Sequence, residues 1–379
     1  MDATFFNNKL LRRRLVRLLL AWFAEHHRKL PWRGTRDLYR IWVSEVMLQQ
    51  TQVAAVVPYY ERFLAVFPTV SQLAAAREEQ VLRLWEGLGY YRRARQLHAA
   101  ARKIAAEHGG EFPREYELVR ALPGIGRYTA GAILSLGLDR RLPILEANTI
   151  RLLSRLAAYR GEATSTAGQK FLWTMAEQIL PAKNVGQFNQ ALMELGSQVC
   201  TPRQPKCAEC PLAPLCPTRK LGWQESIPTA KRPKQYEEVV EVVVVIRRGS
   251  KVFVRRRGDE ERWAGMWDFP RFTSASASPN RQRVMNLAAD TASLTGIAFE
   301  DAQLLTTLKH GVTRFRITLH CYEAQFAGLT PAFTRGNRRV DAVDKLQKQC
   351  EQAWVKVNAL EDLPLSVTAR KIARLLTAN

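Results

Sequence analysis

The sequence contains no run of about 18 apolar residues, the length a helix needs to cross a bilayer, so no membrane span is expected. Its most apolar early stretch, Leu10 to Ala24, is broken by Arg12, Arg13, Arg14 and Arg17 and shows no clear cleavage site. That stretch reads as a basic amphipathic helix, not a signal peptide, and an intracellular location is the default: cytoplasmic, or at the nucleoid in a bacterial source. Acidic residues are scarce, with 35 Asp plus Glu against 57 Lys plus Arg in 379 residues, a net charge of +22. Such a surface favours a polyanionic partner bound in a salt-sensitive way. Cysteine is scarce as well, at six residues, and a disulfide framework is disfavoured without a secretory signal. No strand signal precedes residue 238, so residues 1 to 220 are expected to be all-helical.

Within that helical part, Leu122-Pro123-Gly124-Ile125-Gly126-Arg127-Tyr128-Thr129-Ala130 reads as a tight hairpin between two helices. Gly124 and Gly126 supply backbone angles that other residues avoid. The following helix starts with unpaired N–H groups and the positive end of its dipole, a binding site for an anion such as a DNA phosphate. Upstream, Tyr39 to Tyr60 is expected to form a helix with Glu45 among apolar neighbours. Burial there raises a carboxyl pKa and suits a general acid, whereas a surface position makes Glu45 an ordinary helix residue. Glu86-Gly87-Leu88-Gly89-Tyr90-Tyr91 places two aromatic rings on a Gly turn between two further helices. Such rings stack on bases or pack in a core.

Four of the cysteines crowd into seventeen residues: Cys200, Cys207, Cys210 and Cys216, separated by six, two and five residues. Four thiolates so spaced wrap a 4Fe–4S cluster in one compact loop, with zinc as the alternative metal. Residues 221–236 are polar, basic and Pro-containing and read as a linker. Composition then changes to β-rich runs, Val239 to Arg247 and Lys251 to Arg257, joined by a hairpin at Arg248-Gly249-Ser250. Strands at Leu304 to Leu308 and Arg314 to Ala324, with helices at Arg281 to Leu294 and Val367 to Leu376, complete a separate α+β domain over residues 237–379. Phe272 to Asn280 reads as a mobile loop.

Taken in order, SEVMLQQT, WEGLGYY, LPGIGRYTAG, FNQALMELG and the four-Cys loop resemble the endonuclease III superfamily of helix-hairpin-helix DNA glycosylases. Within it they are most similar to the MutY-type adenine DNA glycosylases. The expected fold is therefore mainly α, a helix-hairpin-helix glycosylase domain with a 4Fe–4S loop over residues 1–220, followed by a Nudix-like lesion-sensing domain anchored on Trp267-Asp268-Phe269-Pro270. The resemblance implies removal of adenine mispaired with 8-oxoguanine or guanine, acting as a monomer on double-stranded DNA that contains the mispair. It assigns Glu45 to protonation of the flipped adenine and Asn148 to orienting the catalytic carboxylate and water. Arg33, Gln50 and Tyr90 are placed at the DNA, together with the Gly124 and Gly126 hairpin. Tyr128 stands where lyase relatives carry a nucleophilic Lys; a phenol forms no Schiff base, which argues against strong lyase activity.

Two positions depart from the family pattern. The Asp that stabilises the sugar cation is Glu146 here, one methylene longer, and a displacement of about 1 Å at a reacting centre is costly. The Phe-Ser-His lesion-reading loop corresponds to Val312, Thr313 and Arg314, with Thr313 and Arg314 expected at the DNA. Residues 271–300 also lack the Arg-Glu-x-x-Glu-Glu box that holds Mg²⁺ in Nudix pyrophosphatases, so no nucleotide hydrolysis is expected of that domain. A glycosylase of other base preference and a mispair-binding protein that no longer cleaves are the alternative readings.

Overall fold

The computed structural model describes residues 8–229, 235–273, 281–312, 314–330 and 351–377. It forms two compact units, Met1–Ala75 with Gln96–Arg232 and Ala76–Arg95 with Pro233–Asn379. Twelve α-helices precede the first strand among the described residues: α1 (Lys9–His26), α2 (Leu38–Leu48), α3 (Val53–Val66), α4 (Val70–Ala75), α5 (Glu78–Trp85), α6 (Arg92–Glu107), α7 (Tyr116–Arg120), α8 (Arg127–Leu138), α9 (Ala147–Leu156), α10 (Thr166–Gln178), α11 (Val185–Gln198) and α12 (Pro217–Lys220).

In the first unit the apolar spacing explains the packing. Asn8 caps α1 by accepting from Leu10 N and Leu11 N, and Leu15, Leu19 and Phe23 recur every fourth residue to bury one stripe. That stripe joins Leu152, Leu153 and Leu156 of α9, Leu172 of α10 and Phe188 of α11 in one core. Leu212 and Leu215 of the cysteine loop close the same core, so the loop is held by apolar burial as well as by any cluster. Truncating the fully buried Phe188 to Ala would cost about 3–5 kcal/mol.

The single helix expected over Tyr39 to Tyr60 is two helices, α2 and α3, broken at residues 49–52. The break centres on Gln50, whose φ of 56° is left-handed and cannot continue a helix. The helix expected over Leu73 to Trp85 likewise divides into α4 and α5.

Among the described residues the second unit is built on a mixed seven-stranded sheet of β1 (Glu237–Arg248), β2 (Lys251–Arg256), β3 (Trp267–Asp268), β4 (Arg271–Thr273), β5 (Ile297–Val312), β6 (Phe315–Leu329) and β7 (Gln352–Lys356). Its main order is β3-β2-β1-β6-β5, with β4 on β1 and β7 on β2. β1 runs parallel to β6 and is buried from Glu241 to Ile246, which accounts for its nearly unbroken valine run. Val243 and Val245 face one core with Ala369, Ile372 and Leu376 of α13 (Val367–Thr377). Val242, Val244 and Ile246 face the other, which includes Tyr322 and Phe253.

The segment Ala76–Arg95 packs with this unit although it reads in sequence as part of the helical domain. Trp267 donates from its ring nitrogen to Glu79 at 2.8 Å, and Arg370 grips Glu86 through both its Nε and Nη2 at 2.6 and 2.9 Å. Strands β5 and β6 run well beyond the expected Leu304 to Leu308 and Arg314 to Ala324, and β7 had no counterpart in the sequence reading. Thr313, Arg232-Pro233-Lys234 of the linker and most of the expected loop over 272–280 lie outside the described residues.

Candidate active site

Glu45 stands on the buried face of α2 and is only 4% exposed. It borders a cavity of about 440 Å³ whose apolar walls include Trp32, Ile41, Leu48 and Met193. Burial raises the Glu45 carboxyl to about 7; the Tyr128 hydroxyl opposes that shift and the nearby Glu146 charge adds to it. Tyr128 donates to Glu45 Oε2 at 2.7 Å, which leaves Oε1 to carry a proton toward the cavity. Burial, followed by the two carboxylates, holds the Tyr128 phenol well above its usual range, so it stays neutral and donates.

Glu146 borders the same cavity and is the N-cap of α9. Its Oε2 accepts from Asn148 N at 2.8 Å and Asn148 Nδ2 at 3.2 Å, and its Oε1 accepts from Thr149 N at 2.9 Å. The extra methylene is therefore taken up by folding the arm back over the helix start, where N–H groups and the dipole favour an anion. Desolvation still raises its pKa, against the bonds from Asn148 and Thr149 and the charge of Arg151. Arg151 in turn donates to Asn148 Oδ1 at 2.9 Å, Gly196 O at 2.7 Å and Cys200 O at 2.7 Å. One side chain thus links the carboxylate's partner to the first cysteine of the loop.

A third carboxylate in this cavity had no signal in the sequence. Glu194, 1% exposed, is held by Arg28 at 2.8 Å and Arg33 at 2.6 Å. Its pKa is about 2: desolvation alone would raise it, and the hydrogen bonds from Arg28 and then Arg33 more than reverse that. Arg33 was expected at the DNA. Its guanidinium donates to Glu194 and to Arg28 O and lines the cavity.

Gln50 is exposed at the mouth of the cavity, on its left-handed turn. The hairpin leads into α8, whose N-cap Gly126 brings no side chain to its N–H groups, so these remain for an outside anion. Gly124 has φ 77°, and a Cβ there would meet Gln96 Cβ at 2.8 Å, so this position requires Gly on both counts.

In the second unit, Tyr90 (φ 50°) is 48% exposed on the turn between Gly89 and Tyr91. It lines a cavity of about 600 Å³ with Trp263, His310 and Val312. Burial first, and then Arg271, lowers His310 to about 4, so this imidazole is neutral at physiological pH. Trp263 and His310 carry no role in the sequence reading, where His310 serves only to place the loop that follows it. Arg314 sits at the β5–β6 tip, 72% exposed in its side chain and loosely paired with Glu237 at 3.8 Å.

Cys200, Cys207, Cys210 and Cys216 line one cavity with Leu152, Arg155 and Gln224. Among the described residues no three His, Cys, Asp or Glu side chains are grouped to hold a single metal ion. Ringing a shared cavity is the arrangement a multi-iron cluster takes. Burial, with the three other cysteines adding to it, pushes the Cys210 thiol to about 12, a crowding that cationic iron relieves. Donors already face the sulfurs: Arg155 Nη1 lies 3.3 Å from Cys200 Sγ and Gln224 Nε2 lies 3.8 Å from Cys207 Sγ. The residues fit a 4Fe–4S cluster, held by these four thiolates. Replacing Cys207 by Ala should remove iron and DNA binding together; a purified protein with stoichiometric zinc and no iron would contradict the assignment.

Comparison with known proteins agrees with this layout. Residues 43–178 match the HhH-GPD superfamily base excision DNA repair protein, residues 200–216 the iron-sulfur binding domain of endonuclease III, and residues 242–375 the NUDIX domain. The rat protein named adenine DNA glycosylase is 34% identical over 377 residues, covering 84% of this chain and 72% of its own. The mouse protein of that name is 36% identical over 319 residues, covering 70% of this chain; the chain spans 62% of that relative's length. A solved thermostable thymine-DNA glycosylase superposes with a TM-score of 0.52 at 29% identity, covering 55% of this chain and 97% of that one.

Proposed function

The chain belongs to the adenine DNA glycosylases, and from that membership we propose that it removes adenine mispaired with guanine or 8-oxoguanine in duplex DNA. The observation that carries the reading is the pair of carboxyl groups on one cavity, Glu45 with a pKa of about 7 and Glu146 held as an anion site by the start of α9. Adenine leaves poorly as an anion. Glu45 donates its proton to a ring nitrogen as the N-glycosylic bond breaks, and the bonding electron pair stays with the base. The sugar is left with cationic character, which the Glu146 carboxylate stabilises. Water then adds to the sugar carbon and gives up its proton to the Glu45 carboxylate, which restores the acid, with Asn148 positioned to orient the water. Trp32, Leu48 and Met193 offer apolar faces to a flat purine, and the Gly126 end of α8 grips a backbone phosphate.

The products test the reading. Free adenine and an abasic strand that stays intact until treated with alkali are expected, because neutral Tyr128 offers no amine for a Schiff base. A strand cut without alkali would mark a bifunctional lyase.

Selection of the opposite base belongs to the second unit in this reading, through Tyr90 and the β5–β6 tip. Arg314 only donates hydrogen bonds and keeps its charge, so it suits a phosphate better than the edge of 8-oxoguanine. Weaker discrimination between 8-oxoguanine and guanine is therefore expected than in a His-bearing relative. Arg314→Ala should weaken both complexes alike and flatten their salt dependence, and Arg314→His should raise preference for 8-oxoguanine. A strong wild-type preference that vanishes in Arg314→Ala would make Arg314 the lesion reader instead. A monomer acting on double-stranded DNA, in the cytoplasm or at the nucleoid, completes the proposal. No described helix is long and apolar enough to cross a membrane.

A further inference from the structure

The cavity that holds Glu45 has a neighbour. A second cavity of about 430 Å³ lies in the same unit, walled by α1, residues 33–36, the end of α8 and the start of α11. Arg33, Leu136 and Gln190 line both, so these three side chains form the partition. The openings are distinct. Gln50 and Ala147 are the exposed residues of the first cavity, whereas Ala24, His27, Arg36 and Gln187 are exposed at the second.

The partition is half fixed. Arg33 is tied to Glu194 at 2.6 Å and to Arg28 O at 2.7 Å. Gln190 is half-buried, and among the described residues its amide has no hydrogen-bond partner to hold it. A Gln amide also matches adenine, giving to N7 and accepting from the N6 amino group.

On the glycosylase reading, the flipped nucleotide enters through the Gln50 and Ala147 opening and its sugar stays there. Cleavage cuts the base loose, yet the abasic strand keeps the phosphate contacts that supply most of its affinity. The opening by which the base entered is then still filled by the strand. We infer that excised adenine leaves through the second cavity, past a swinging Gln190, while the abasic strand remains bound. The inference rests on adenine being the excised base. It makes the second cavity a product exit with its own rim, lined by none of Glu45, Tyr128, Glu146 and Asn148.

The test uses the full, cluster-bearing chain and a duplex with A opposite G whose adenine is radiolabelled. Labelled base and labelled strand are followed separately after one turnover by rapid filtration, with a denatured sample reporting total cleavage. In the wild type, adenine should leave ahead of the abasic strand. Gln187→Trp and Ala24→Trp each put a bulky ring on the exit rim. Both should cleave at the wild-type rate but retain free adenine about tenfold longer, as gating of product release predicts. Adenine that leaves the wild type only together with the abasic strand would overturn the exit, as would wild-type adenine loss from both variants. Failure of the glycosylase reading looks different, because the denatured sample would then contain no adenine.

Discussion

Glu45→Gln is expected to lower base release by about 10³-fold, within the range for loss of a general acid, while duplex binding stays near wild type. Gln keeps the shape and can still accept from Tyr128, whose hydroxyl lies 2.7 Å from Glu45 Oε2. What it loses is the acidic proton. The pH dependence follows from which form works. Glu45 acts protonated and its pKa is raised to about 7, so activity is present below that pH and is lost as pH rises through it. Glu146 acts ionised and its pKa is also raised, so activity falls on the acid side as Glu146 takes up a proton. The kcat/KM profile should therefore be bell-shaped, and Glu45→Gln should remove the alkaline limb from whatever activity remains. Wild-type turnover in the Gln variant would take Glu45 out of the mechanism.

Glu146→Gln should cost about 10²–10³-fold in turnover, the scale for removing one preorganised electrostatic stabiliser. This substitution separates charge from capping, since the amide oxygen can still accept from Asn148 N or Thr149 N at the head of α9. Thermal stability should fall far less than activity. Glu146→Asp asks whether the site has settled around the longer arm. The three bonds to the Glu carboxylate, at 2.8, 2.9 and 3.2 Å, are already well formed. Shortening the arm should therefore slow the enzyme. A faster Asp variant would show that Glu146 is a compromise, and cleavage by the Gln variant at close to the wild-type rate would show that another group stabilises the sugar cation.

Much of this site can be read along the chain because its parts are local. The Gly124 and Gly126 hairpin and the cysteine loop are each set within a few residues, and Gly spacing and Cys spacing record them; Glu146 is marked by the resemblance, and its role as the cap of α9 appears only in the structure. What depends on distant partners is not legible. Glu194 becomes a buried anion through Arg28 and Arg33, more than 150 positions earlier, and nothing near MELG announces it. For the same reason nothing near Arg33, which the resemblance places at the DNA, announces its pairing with Glu194 in the cavity wall. The break between α2 and α3 is not legible either, because Gln49, Gln50, Thr51 and Gln52 are all compatible with a helix by propensity, yet Gln49 (ψ 115°) and Gln52 (ψ 141°) are extended and Gln50 is left-handed. β7 escaped because Gln352–Lys356 carries no in–out alternation: Ala353, Trp354 and Val355 follow one another, and its first four residues are all half-buried. The placement of Ala76–Arg95 with the second unit rests on Glu79 and Glu86 finding Trp267 and Arg370, again a matter of distant partners.

The most direct measurement is single-turnover release of base from adenine placed opposite 8-oxoguanine, guanine and cytosine, made on one purified, iron-bearing sample with free base and strand integrity recorded together. Adenine should be released opposite 8-oxoguanine and guanine, from strands that break only in alkali. Tight, salt-dependent binding to these duplexes without release of adenine from any of them would contradict the account and leave a mispair-binding protein in its place.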